Sequence, residues 1–229
     1  MKTIIKNSGF TLLFAVIIFA AASCHKDNSP ANNNTNNGNG NSNTVNLQAQ
    51  ISTLPKEPLS QAELNSVSLM REEEKLARDV YISMYNKWGV NIFTNISNSE
   101  QTHMDAILML LNKYNLTDPV GSNAEGVFSN TTLQNLYGEL LAKGNISLPD
   151  AYKAGATIED LDIFDLTNAL VNIDNQDIRL VYDNLTNGSR NHLRSFYKNI
   201  LNVGGTYTPQ YITAAEFDAV ISGAMETGF

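Results

Sequence analysis

Cysteine occurs once in the 229 residues, at Cys24, so no intramolecular disulfide can form and the folded part must be held by core burial or by bound metal. Basic residues are also scarce. The chain has 15 Lys+Arg against 23 Asp+Glu, a formal net charge of −8, and phosphate binding needs a basic face, so nucleic acid is not an expected partner. The longest apolar run, Phe10–Ala22, is 13 residues, too short for a bilayer-spanning helix, which needs roughly 20. No Ser or Cys stands in a recognisable nucleophile motif and no glycine-rich phosphate loop is present, which disfavours nucleophilic and nucleotide chemistry. There is no internal repeat of fixed period, and no alternating pattern long enough to propose a sheet.

What the chain does have begins with an export signal. Lys2 and Lys6 give residues 1–23 a positive start, the apolar run follows, and small residues close it. Ala21-Ala22-Ser23-Cys24 resembles the lipobox of bacterial lipoproteins, with alanine where leucine is commoner at its first position. The resemblance implies cleavage before Cys24, lipidation of Cys24 and a place in the cell envelope, anchored to a membrane and facing the periplasm or the outside. Losing Lys2 and Lys6 would leave 13 Lys+Arg against the same 23 acids, a balance of −10 that suits cations as partners. Residues 24–57 read as a disordered tether. From His25 to about Asn46, Asn, Ser and Gly dominate, and almost nothing apolar offsets the entropy of ordering them.

Order is expected over residues 58–222. Ser60-Gln61-Ala62-Glu63 reads as a capping box opening a helix to about Lys87, with Val67, Met70, Ala77, Tyr81, Met84 and Trp88 on one face and Gly89 as its stop. A second helix runs from about Asn95 to Tyr114, a short one over Thr131–Lys143, a third long one from Ser147 to about Asn172, and a fourth from Asp174-Asn175 to about Val203. Thr213-Ala214-Ala215-Glu216 is another capping box, opening a short final helix. Short links join the first long helix to the second and the third to the fourth, with a long one between. That is an all-α, four-helix bundle with one crossover and short accessory helices, the layout of ferritin-like folds.

Several acids and histidines share the inward faces. Glu74 falls in the first stripe; Glu73 is the fallback, because it aligns with Leu69, Leu76 and Val80 but also with Ser83 and Lys87. Glu100 and His103, three apart, share the face of Ile96, Ile107 and Tyr114. Glu159 and Asp162 align with Ile163, Leu166 and Leu170, and His192 with Tyr182, Leu185, Ser189 and Phe196. Each feature alone has a plain explanation: a Glu run is usually solvated, and a histidine on an apolar face is usually a hydrogen-bonded core residue. Together they imply several buried carboxylates, which cost several kcal/mol each unless compensated, and a divalent cation would compensate them.

The segments MREEEKLARDVY (70–81), SEQTHMDAI (99–107), IEDLDIFDL (158–166) and DIRLVYDNLTNGSRNHLRSF (177–196) resemble a family of secreted bacterial ferritin-like domains of unknown function. Rubrerythrins and bacterioferritins likewise carry a Glu about seven residues before a Tyr on the first helix, as Glu74 and Tyr81 stand here. The resemblance implies a possible dinuclear iron or manganese centre with Glu74, Glu100, His103, Glu159 and His192 as ligands. The usual second Glu-x-x-His is here Ser189-Arg190-Asn191-His192, so one carboxylate is missing, and Asp162 is the candidate to replace it. Tyr81, Tyr182 and Ser189 are candidate neighbours or redox partners of the site. Three readings follow: an oxidase of Fe(II) that reduces oxygen or peroxide, a non-catalytic module that binds metal or a partner protein, and a purely structural bundle.

Overall fold

The computed structural model describes residues 39–227, and every regular element among them is helical. These are α1 (Asn39–Thr53), α2 (Gln61–Trp88), α3 (Asn91–Tyr114), α4 (Thr131–Gly144), α5 (Leu148–Leu170), α6 (Gln176–Asn202) and α7 (Ala214–Ser222). Local chemistry sets their limits. The Ser60 hydroxyl accepts from the Glu63 amide while Glu63 reaches back, and the Thr213–Glu216 pair repeats that box at α7. Gly89 ends α2 and Asn115 ends α3, both in the left-handed region.

Helices α2, α3, α5 and α6 close a four-membered ring of packing, α2 against α3 and α5, and α6 against α5 and α3. Their directions follow from where each contributes to the core. One apolar cluster takes Val67 and Met70 from α2, Ala106 to Leu111 from α3, Leu166 from α5 and Ile178 to Leu185 from α6. The other takes Leu76 to Met84, then Phe93 and Ile96, Ala151 to Ile163, and Leu193 to Ile200. So α2 and α6 run one way, α3 and α5 the other. Because α3 ends at one apolar cluster and α5 begins at the other, residues 115–147 must travel the length of the bundle, carrying α4 with them.

The crossover is stitched to the outer side of α2. Arg71 donates to both oxygens of Asp118, each at 3.0 Å; Glu72 accepts from the Asn130 amide; Lys75 donates to the Ala124 carbonyl at 2.8 Å; and Asp79 accepts from the Gly126 amide at 2.9 Å. A helix so covered buries charges that a solvated face would expose, including Glu72 and Glu73 at 4 % exposure each.

Helix α1 corrects one expectation. Residues 39–53 lie inside the segment read as an unstructured tether, yet they form a helix in which Leu47 and Ile51, four apart, are buried against the core. Lys113 holds its end, donating to the carbonyls of Ile51 at 2.8 Å and Leu54 at 3.0 Å, where a cation suits the negative end of the helix dipole. The tether reading weighed composition and passed over that two-residue face. The signal segment, Cys24 and the tether up to residue 38 lie outside the described residues.

Candidate metal centre

Midway along the bundle, between the two apolar clusters, each long helix contributes polar side chains: Glu74 from α2, Glu100 and His103 from α3, Glu159 and Asp162 from α5, His192 from α6. All are buried, Glu100 and Glu159 completely and His192 at 8 % the most exposed. The geometry forms two groups that share Glu100. Within Glu74, Glu100 and His103, one ligand atom from each lies within 4.8 Å of the others, and the same holds for Glu100, Glu159 and His192. Glu100 Oε2 is 2.7 Å from His103 Nδ1, and its Oε1 is 2.9 Å from His192 Nδ1. His103 Nδ1 is also 3.0 Å from Glu74, and His192 Nδ1 3.4 Å from Glu159. The two imidazoles face each other at 5.6 Å between centroids.

Distance and hydrogen-bond geometry disagree here, and the disagreement is informative. Both oxygens of Glu100, Oε2 of Glu159, Oδ2 of Asp162 and Nδ1 of His192 are buried without a hydrogen-bond partner of acceptable geometry. Each such group costs roughly 1–3 kcal/mol, more when charged. His103 Nδ1 keeps a hydrogen bond to Glu74 Oε2 at 3.0 Å, while the remaining oxygen and nitrogen atoms converge without one, as they would around a cation.

Neighbouring groups orient this set. The Tyr81 hydroxyl donates a short hydrogen bond to Glu159 Oε1, leaving Oε2 facing His192. His192 Nε2 lies 3.1 Å from the Ser99 hydroxyl, which leaves Nδ1 to face inward. The other two residues considered as neighbours turn to other partners: the Tyr182 hydroxyl bonds Ser66 at 2.8 Å, and Ser189 donates to the Leu185 carbonyl at 3.1 Å.

Gly188 is the contributor the sequence reading passed over. A β-carbon there would lie 2.6 Å from His103 Nε2, so α6 can approach α3 only with glycine at this position. Glycine inside a helix costs about 1 kcal/mol relative to alanine, and that cost was the available signal. Gly188→Ala should therefore destabilise the protein by up to about 2 kcal/mol in urea unfolding, since overpacking costs roughly 1–3 kcal/mol and outweighs the helical gain. A stabilised variant would mean that His103 is free to move.

Electrostatics follow from crowding. Burial alone would lower His103, but the Glu100 and Glu74 carboxylates outweigh it and push it up to about 10. Burial lifts Glu74 to about 7 against the pull of His103, and burial with the charges of Glu74 and Glu159 holds Asp162 well above the usual carboxylate range. Glu100 goes the other way: burial would raise it, but His192 and His103 hold it well below that range. A folded-state pKa above the unfolded value gives stability that is complete below the unfolded value and lost as pH rises through the folded one. For Glu74 that window runs from 4.5 to about 7, and for His103 from 6.5 to about 10. Protein stripped by chelator should therefore lose stability steadily from about pH 5 to pH 10, read as a falling urea midpoint. A midpoint that rises across that range would contradict this electrostatic account.

The fold and site together define a helical bundle with a buried carboxylate–imidazole layer. The chain belongs to the DUF2202 family, described as an uncharacterized protein domain, whose profile matches residues 63–224. It is similar to the uncharacterized protein MJ0754 of Methanocaldococcus jannaschii, with 54 % identity over 178 residues, 78 % of this chain and 96 % of that protein. The crystal structure of the hypothetical protein MJ0754 superposes with a TM-score of 0.75, covering 76 % of this chain and 99 % of that one.

Proposed function

We propose that the protein is a ferritin-like metalloprotein of the cell envelope, exported and lipid-anchored through Cys24, with a dinuclear iron or manganese centre. The observation that carries this reading is Glu100: its two oxygens face two different histidine nitrogens, at 2.7 and 2.9 Å, in a buried layer where one oxygen each of Glu159 and Asp162 also lacks a hydrogen-bond partner. Glu74 and His103 would complete one site, Glu159 and His192 the other, with Glu100 between them. Asp162 belongs to neither three-residue group, but it is buried in the same layer with an unpartnered oxygen and is our candidate for the carboxylate that Ser189 does not provide.

Single Glu residues combined with Glu-x-x-His pairs projecting into a bundle with one crossover are the arrangement of ferritin-like di-metal proteins. Carboxylate and imidazole donors suit iron or manganese. Two such ions would supply one-electron redox chemistry, Fe(II) giving electrons to oxygen or peroxide. The chain's own groups do the rest. Tyr81 fixes Glu159 and places a phenol beside the layer, Ser99 orients His192, and the apolar clusters on either side exclude water.

The test is oxygen consumption. Protein loaded anaerobically with Fe(II) and then exposed to air should take up oxygen faster than the same Fe(II) in buffer, and the Tyr81→Phe variant should do so more slowly. The alternative is a non-catalytic module with a degenerate site that binds metal or a protein, favoured by the serine at position 189. It predicts metal binding with oxygen uptake no faster than buffer.

A further inference from the structure

The carboxylate layer is sealed, with every acid in it 4 % exposed or less, so a cation needs a route to it. The acids continue outward in one direction. Glu73, next to Glu74 in the chain, lines a groove of about 580 Å³ between α2, α4 and α5, together with Asp165, Glu139 and Tyr211. Burial along this line is graded: Glu139 is exposed, Asp165 half-buried and Glu73 only 4 % exposed, with Asp162 and Glu74 behind it.

Two further features separate this line from an ordinary acidic surface. No lysine or arginine lines the groove, so its carboxylates have no cation of the protein to pair with. Glu73 Oε2 is buried with no N–H or O–H donor of the protein beside it; the polar group that meets the Glu73 side chain in the groove is the carboxyl of Asp165, with which it can share only a proton or a cation. A buried oxygen left unsatisfied beside a second carboxylate is a costly arrangement unless something positive visits it.

We propose that Glu73 and Asp165 form a divalent-cation site at the floor of the groove between α2, α4 and α5, through which ions reach the buried centre. The site selects a hard cation such as Mn(II) or Fe(II), because only oxygen donors face it. Its role as a route rests on the dinuclear reading; its ability to hold a cation does not. Glu139 at the rim adds steering, since a cleft lined by one sign of charge raises the arrival rate of its counter-ion by about ten-fold or more.

The experiment follows Mn(II) uptake by the full-length protein in time, through loss of the free-ion electron paramagnetic resonance signal. Glu73→Gln and Asp165→Asn, the first isosteric and the second at a half-buried position, should fill the buried centre to the same two equivalents as the parent but about ten-fold more slowly, and should lack the additional weakly held ion of the groove. Filling at the parental rate in both variants would overturn the proposal while leaving the buried centre intact. A second arm uses Glu100→Gln, which disables the buried centre. It should retain one weakly held Mn(II) that disappears when Glu73→Gln is added. No retained ion, or one indifferent to Glu73, would refute the groove site. If the parent bound no Mn(II) in the buried layer, the dinuclear reading and the route would fall together, while this arm would still decide whether the groove holds a cation.

Discussion

Glu100→Ala is expected to abolish binding of both metal equivalents, whereas the loss of any other single side chain in the layer should weaken one ion more than its neighbour. The difference comes from position. Glu74 and His103 lie on one side of Glu100, Glu159 and His192 on the other, and only Glu100 addresses both histidines. His103→Ala and His192→Ala should each leave a partly filled protein, with different remaining affinities. Removing the shared carboxylate also leaves two buried imidazoles without the group that most favours their protonated form, so the variant should be less stable than the parent in the presence of chelator. Loss of one equivalent of two in Glu100→Ala, by elemental analysis after loading, would show that Glu100 serves one ion only.

Asp79→Ala should have the largest effect on stability, about 3–5 kcal/mol in urea unfolding. Lys75 and Asp79 are both fully buried and form a short ion pair one turn apart on α2. Lys75 also donates to the Ala124 carbonyl and lies 4.5 Å from the centre of the Phe128 ring; Asp79 also accepts from Arg78 and from the Gly126 amide. Without Asp79 the ammonium has no counter-charge and a crossover amide has no acceptor. The double variant Lys75→Met, Asp79→Leu should recover most of the loss, because well-packed apolar pairs often replace buried ion pairs at little cost. Similar losses in the single and double variants would show that the pair matters for packing rather than for charge.

The helices and their caps were legible because local chemistry sets them. Ser60 with Glu63, Gly89, and Thr213 with Glu216 act within one turn of chain, and the structure uses each as read. Periodicity put Glu74, Glu100, His103, Glu159, Asp162 and His192 on the inward faces of four separate helices, and the family resemblance grouped them; that they lie at one level of the bundle depends on how the helices pack. Burial on the second side of α2 was not legible. A Glu run is usually solvated and no local pattern marks Lys75 or Asp79 for burial, yet the crossover, whose course depends on tertiary packing, covers Glu72, Lys75 and Asp79. Gly188 was visible in the sequence, but its purpose depends on how closely α6 approaches His103, which no periodicity reports.

The most direct test of the dinuclear reading is elemental mass spectrometry of the purified protein after anaerobic loading with Fe(II) or Mn(II) and removal of unbound ion. Two equivalents per chain in the parent, and fewer than two in His103→Ala and in His192→Ala, are the predicted result. A parent that retains no metal, or whose metal content is unchanged in both histidine variants, would contradict it.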